Sequence, residues 1–188
     1  MIDEIKRSLL GAWLLARQDP RGMELLDLSV EGFFRSFIAA LVAAPVYLLL
    51  TIDRYQTAGM PAALGSVVAL ETVTYALSWV AFPLVAILLT RLLGLGHRYV
   101  PLIVAGNWAA VLQVGFFLVA LLLSAILPPA MRALLLFAAT VAVLLYQWFV
   151  IRTALGTTGG TAAGVLAVNV LLDTILSLLT GSVALEGG

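Results

Sequence analysis

The sequence predicts an all-α fold: a polytopic membrane bundle of five transmembrane helices with an N-terminal amphipathic interfacial helix. Composition is the first reason, because 63% of the 188 residues are hydrophobic and 11% are charged, with a mean hydropathy of +1.12. A soluble domain has about 45–50% apolar and about 25% charged residues. The second reason is a series of apolar stretches, each near the roughly 20 residues that a helix needs to cross a bilayer. The expected surroundings are therefore lipid.

Residues 1–32 are predicted to form a cytoplasmic amphipathic segment. Its apolar side chains recur at helical spacing on one face, namely Ile2, Ile5, Leu9, Trp13 and Ala16. The opposite face is charged and carries Asp3, Glu4, Lys6 and Arg7. This pattern is typical of a helix that lies in the membrane interface. Packing of the apolar face on the loops of the bundle would produce the same pattern, so both arrangements stay open. The segment lacks the pattern of a signal peptide, and we expect it to be retained.

A transmembrane domain over residues 33–182 and a short outer tail over residues 183–188 follow this segment. Polar or glycine-rich stretches such as "DRYQTAGMP" and "RTALGTTGG" separate the apolar runs, and Pro128 and Pro129 end one of them. A proline cannot continue the hydrogen-bond ladder of a helix, so the chain is expected to turn there. The predicted spans are 33–52, 64–93, 100–127, 130–151 and 161–180.

The positions of the basic residues predict the orientation of the chain in a membrane. With a cytoplasmic N-terminus, the inner side holds eight Lys and Arg residues and the outer side holds two, Arg54 and Arg132. Cytoplasmic loops carry the excess of Lys and Arg in membrane proteins. We therefore expect a multi-pass protein, in a bacterial inner membrane, with the N-terminus in the cytoplasm and the C-terminus on the outer side.

Several classes of function are disfavoured by what the sequence lacks. Ten Lys plus Arg balance ten Asp plus Glu, so a nucleic-acid partner is not expected. The chain has no Cys and a single His, His97, which leaves no multi-ligand metal site of the usual kind. No phosphate-binding glycine motif or metalloprotease signature is present. We expect no cofactor, no metal and no enzymatic activity.

Polar residues inside the apolar runs form the candidate intramembrane site. The second span carries a stripe of such residues on one helical face, and the third and fifth spans each carry a pair. Asn107 and Gln113 point about 120° apart around their helix, which favours hydrogen bonds to two different neighbours. The candidate residues are Glu71, Thr74, Tyr75, Ser78, Asn107, Gln113, Asn169 and Asp173.

The two acids, Glu71 and Asp173, are the most informative members of this set. Both are expected roughly 7 to 10 Å below the outer membrane boundary, where they would be able to meet. Acids inside a membrane are costly, and they usually face the bundle interior. One hypothesis is a proton or cation pathway. The other is a structural role, with hydrogen bonds to polar neighbours or with Arg54 or Arg132 as the partner.

A faint internal repeat links two of the turns. Residues 91–107, "RLLGLGHRYVPLIVAGN", and residues 152–169, "RTALGTTGGTAAGVLAVN", each run from a helix-ending Arg through a glycine turn to an Asn in the next helix. The two hairpins would have the same orientation. Parallel repeats of this kind occur in some transporters.

The layout of the chain resembles the Yip1-domain family of five-span membrane proteins over roughly residues 30–182. The family has an aromatic Asp-Leu-aromatic-Gly-Pro pattern before its first span, and the nearest stretch here is "LDLSVEGFF", with Asp27, Leu28 and Gly32 at a different spacing. The resemblance implies a five-helix membrane fold. For eukaryotic members it implies roles in vesicle traffic with small-GTPase partners.

Two hypotheses of function follow from the sequence. The first is a non-enzymatic scaffold, trafficking or assembly factor of Yip1-like type, which would work with a membrane-protein partner or a second copy of itself. The alternative is a small transporter or a proton- or cation-coupled permeation unit that uses Glu71 and Asp173. Whether these acids border a cavity or a sealed contact distinguishes the two hypotheses.

Overall fold

A computed structural model describes residues 2–57 and 64–186, with side chains over residues 2–53 and 68–179. These residues form α-helices, two short 3₁₀ helices (Pro20–Leu25 and Gly96–Arg98) and no strand. The α-helices are α1 (Ile2–Ala16), α2 (Val30–Ser36), α3 (Ile38–Thr57), α4 (Leu64–Leu92), α5 (Tyr99–Ser124), α6 (Pro129–Leu155) and α7 (Gly159–Glu186).

Within the described residues, five helical segments are long and apolar enough to cross a membrane, which confirms the predicted all-α five-span bundle. They are Val30–Asp53, Val68–Leu92, Gly96–Ser124, Pro129–Leu155 and Gly159–Leu179. A helix satisfies its own backbone hydrogen bonds, as a lipid environment requires. Large apolar side chains on the outside, such as Leu84, Leu88 and Leu92 along one face of α4, suit contact with lipid.

The structure moves two of the predicted boundaries. The first span begins at Val30 rather than at residue 33, because α2 leads into α3 with Phe37 alone between them. At the other end, α7 continues to Glu186, so residues 183–186 of the predicted tail are helical. Residues 187–188 lie outside the described part of the chain.

Specific contacts close the turns between the later spans. In the α5–α6 turn, Arg132 Nε donates a hydrogen bond of 3.2 Å to the carbonyl oxygen of Ser124. At the end of α6, Gly156 adopts a left-handed conformation (φ 60°), and its amide donates to the Arg152 and Thr153 carbonyl oxygens. Glycine adopts this conformation without strain, so it is the usual helix terminator. Arg132 thus has a local role in its own turn.

The centre of the bundle is α5, which packs against α1, α2, α3 and α6. Small residues permit close helix approach in membranes, and Ala39 of α3 lies with Ala105 and Ala109 of α5 in one buried cluster. Trp108 belongs to the same cluster and is 3% exposed. Its role is packing, as its place in an apolar run predicts.

The N-terminal helix α1 packs on two of the spans through a different face from the one predicted. Its buried residues are Ser8, Gly11, Ala12 and Leu15. Of the predicted apolar stripe, Ile5 and Leu9 are half-buried, whereas Ile2, Trp13 and Ala16 are exposed. The Tyr146 hydroxyl of α6 donates to the Ala12 carbonyl oxygen at 2.9 Å. Small side chains let α1 approach its neighbours more closely than the larger stripe would.

Charged side chains hold α1, α2 and the segment between them together. Arg35 donates to Glu4 of α1 at 2.9 Å through Nε and to Asp27 at 2.5 Å. Ser29 caps α2, since its side chain accepts a hydrogen bond from the Gly32 amide at 3.0 Å. Hydrogen bonds from Ser29 and then from Arg35 lower the pKa of the Asp27 carboxyl. Residues 2–36 therefore form one folded unit that packs against α5 and α6.

Two glycines allow α1 to touch the 3₁₀ helix that follows it. A Cβ added at Gly11 would lie 2.7 Å from the Gly22 carbonyl oxygen and 3.2 Å from Leu25 Cβ. We expect the substitution Gly11→Ala to lower the free energy of unfolding by about 1 kcal/mol, because the backbones must separate. Thermal unfolding in detergent would measure this effect. The control is Gly164→Ala in α7, where a Cβ meets no atom within 4 Å. Equal effects of the two substitutions on stability would contradict a close contact between Gly11 and the 3₁₀ helix.

Candidate intramembrane polar site

A cavity of about 310 Å³ lies between the five spans, and polar side chains line much of it. Helices α3 to α7 all contribute to its wall. At 1.5 Å per residue, Asn107 stands about 12 Å and Gln113 about 21 Å along α5 from Tyr99, which places the cavity in the middle of the bundle. Its polar lining residues are Tyr47, Thr74, Tyr75, Ser78, Asn107, Gln113, Gln147, Asn169, Asp173 and Ser177.

The hydroxyl groups that α4 contributes to the cavity are already bonded. Thr74 Oγ1 donates to the Leu70 carbonyl oxygen at 3.0 Å, and Ser78 Oγ donates to that of Tyr75 at 2.8 Å. Such bonds to the preceding turn satisfy a hydroxyl within its own helix. The Tyr75 hydroxyl donates across the bundle to the Ala40 carbonyl oxygen at 2.7 Å and so joins α4 to α3.

Polar side chains that α5, α6 and α7 contribute to the cavity are different, because four of them lack protein partners. Within the described part of the chain, no hydrogen bond or ion pair is formed by the side chains of Gln113, Gln147, Asn169 and Asp173. Asn169 and Asp173 lie one turn apart on α7 and share a face. Water or a ligand in the cavity would therefore form the hydrogen bonds of these side chains.

Asn107 has a structural role at the edge of the cavity. Its Nδ2 donates to Ser36 Oγ at 2.8 Å, and Ser36 Oγ in turn donates to the Phe33 carbonyl oxygen at 2.7 Å. This chain of bonds fastens α5 to the end of α2. The expected interhelical hydrogen bond is therefore present for Asn107, whereas Gln113 faces the cavity.

The two intramembrane acids have different surroundings. Glu71 is 2% exposed, and its Oε2 accepts a hydrogen bond of 2.9 Å from the Tyr47 hydroxyl. Asp173 lines the cavity and is exposed, so the cavity is accessible at this residue. Glu71 is absent from the cavity wall, although Tyr47 belongs to it.

The acids also lie at different distances from the ends of their helices. Asp173 lies about 20 Å along α7 from Glu186, whereas Glu71 lies about 10 Å along α4 from Leu64. The equal depth of the two acids below a membrane boundary stays a prediction. Of the two basic residues considered as partners, Arg132 is bonded in the α5–α6 turn, and the side chain of Arg54 lies outside the described residues.

Three polar residues of the cavity were missed in the sequence analysis, namely Tyr47, Gln147 and Ser177. Each of them has a feature in the sequence that would have indicated it. Gln147 is an amide within an apolar run, as Gln113 is, and Ser177 lies one turn beyond Asp173 on the same face. Tyr47 carries a polar hydroxyl within the first span.

Comparison of the chain with protein-family models, with curated proteins and with solved structures found no match. The geometry of the cavity and the charges around it are therefore the basis for a function.

Proposed function

We propose that this integral membrane protein is a small, non-enzymatic transporter or permeation unit, and that the cavity between its spans binds a small cation during passage. One observation carries the proposal: Gln113, Gln147, Asn169 and Asp173 face the cavity without a hydrogen-bond partner among the described residues. Unsatisfied polar groups within a membrane are costly, and intramembrane ionisable residues commonly mark ion and substrate pathways.

The sign of the charge in the cavity supports a cation. Among the described residues that line the cavity, Asp173 is the only acidic or basic residue. This lining contains no Lys, Arg, His or Glu. The amide side chains of the other helices offer carbonyl oxygens as further ligands. An anion would meet only repulsion from the carboxylate.

The proposal keeps the orientation that the basic residues predict, with the N-terminus in the cytoplasm of a bacterial cell and the C-terminus outside. Both helix-ending turns with Arg98 and Arg152 then face the cytoplasm. The folded unit over residues 2–36 lies on the same side, next to α5 and α6. No residue of this unit lines the cavity, whose described lining residues all belong to the five spans.

Reconstitution of the purified protein into liposomes tests this function. Flux of H⁺, Na⁺, K⁺ and tetramethylammonium is measured against an imposed gradient, with protein-free liposomes as the control. We expect at least one of these cations to cross at a rate that rises with the amount of protein and saturates with cation concentration. Equal rates for all four cations with and without protein would overturn the proposal.

A scaffold or assembly factor of Yip1-like type is the second candidate. The observation in its favour is the folded N-terminal unit, which presents the exposed residues Asp3, Lys6, Arg7 and Trp13 beside the bundle. Such a surface suits a membrane-protein partner or a second copy of the chain. A protein without flux that is recovered as a stable complex in detergent would favour this candidate.

A further inference from the structure

Aromatic side chains line the same cavity as the unpartnered polar groups. Tyr47, Tyr75, Trp79 and Phe82 all line it. The rings of Tyr47 and Tyr75 have centroids 4.5 Å apart, and those of Tyr75 and Trp79 are 5.9 Å apart. Tyr47, Tyr75 and Trp79 therefore form an aromatic strip along α3 and α4.

The same cavity also holds negative charge and carbonyl oxygens. Asp173 and Asn169 come from α7, Gln113 from α5 and Gln147 from α6. A cation in the cavity would therefore be in reach of a carboxylate and of aromatic rings that line the same space. Ring faces attract a cation through their quadrupole, and the attraction grows when the site excludes water.

We propose that the ligand of this cavity is a small organic ammonium ion, held by Asp173 and by the aromatic strip that Tyr75 and Trp79 form. The inference rests on the proposed function and specifies its substrate class. A metal cation such as Ca²⁺ takes six to eight oxygen ligands, and aromatic rings supply none. An alkylated ammonium needs one negative group and apolar or aromatic surface around its carbon atoms, which this cavity provides.

The size of the cavity sets the size of the ligand. Its volume of about 310 Å³ is at the lower end of ligand pockets, which span about 300–1,000 Å³. Compact ions such as tetramethylammonium and choline fit this range. A neutral molecule of the same shape would gain the contacts with the rings and lose the attraction to Asp173.

Calorimetric titration of the purified protein in detergent tests the site. The probes are tetramethylammonium chloride, choline chloride, NaCl and 3,3-dimethyl-1-butanol, the neutral carbon analogue of choline. We expect both ammonium salts to bind at least tenfold more tightly than Na⁺ and than the neutral analogue. Equal affinity for choline and its analogue, or equal affinity for Na⁺ and tetramethylammonium, would overturn the proposal.

Variants test whether the aromatic strip contributes to binding. We expect Trp79→Leu to weaken tetramethylammonium binding about tenfold and Trp79→Phe to retain most of it, because phenylalanine keeps a ring face. The matched control is Trp13→Leu, an exposed tryptophan of α1 outside this cavity, which should leave the affinity unchanged. Gel filtration verifies that each variant is folded. Unchanged binding by folded Trp79→Leu protein would contradict the role of the aromatic strip.

The binding and flux experiments separate this inference from the proposed function. Saturable Na⁺ or K⁺ flux without ammonium binding would overturn the ligand class and leave the transport function in place. Ammonium binding without flux of any cation would support the site and overturn transport.

Discussion

Replacement of Asp173 by asparagine is expected to reduce cation flux at least tenfold while the bundle stays folded. The side chain has no protein partner among the described residues, so the substitution leaves no group of the bundle unpaired. It does remove the negative charge from the cavity wall. A pair of opposite charges about 4 Å apart attracts by about 4 kcal/mol at an effective dielectric of about 20, and a loss of about 1.4 kcal/mol is already tenfold.

Initial flux rates in liposomes containing equal amounts of folded protein would measure this effect. The matched control is Thr174→Val at the next position of α7. The Thr174 hydroxyl donates to the Val170 carbonyl oxygen of its own helix at 2.7 Å, and Thr174 does not line the cavity. We expect the control to retain the wild-type rate. Wild-type flux in Asp173→Asn protein would remove the carboxylate from the pathway.

The membrane fold was predictable from the sequence because lipid imposes strong and simple requirements. Apolar runs long enough to span, ended by signals such as Pro128 and Pro129, determine where helices form. The side of α1 that packs was not predictable in the same way. It depends on the contact between Gly11 and Gly22, two residues from different elements, whereas hydrophobic periodicity describes a single helix.

The candidate site was predictable as a set of residues but not as an arrangement. Seven of its eight predicted members line the cavity, and Glu71 does not. Asn107 and Asn169 lie at similar distances from the starts of α5 and α7, and both line the cavity. The packing of the helices separates their surroundings, since Asn107 is bonded to Ser36 and Asn169 has no side-chain hydrogen bond within the described residues.

The difference between the two acids has a physical origin in their partners. Glu71 is almost fully buried and receives a hydrogen bond from Tyr47, so it belongs to the contact between α3 and α4. Asp173 faces the cavity, where a bound cation is able to compensate its charge. One bundle therefore holds an acid that is bonded within it and an acid that we propose to be functional. The general rule that intramembrane acids mark functional sites does not distinguish the two.

The substitution Tyr47→Phe is expected to lower the free energy of unfolding by about 1 to 3 kcal/mol, because it removes a donor from a buried acceptor. The Glu71 side chain stays in place and loses the 2.9 Å hydrogen bond. Thermal unfolding in detergent would measure the loss. Tyr99→Phe serves as the control, because the Tyr99 hydroxyl forms no hydrogen bond within the described residues.

A double-mutant cycle with Glu71→Leu separates the lost hydrogen bond from other effects of the substitution. In the Glu71→Leu background the carboxyl group is absent, so removal of the Tyr47 hydroxyl no longer breaks a hydrogen bond to Glu71. The double variant should therefore be more stable than the sum of the single effects predicts, by about 1 kcal/mol. Tyr47→Phe also keeps an aromatic ring in the cavity wall, so we expect binding of tetramethylammonium to persist in the folded variant. Strictly additive losses would show that Tyr47 and Glu71 stabilise the bundle independently.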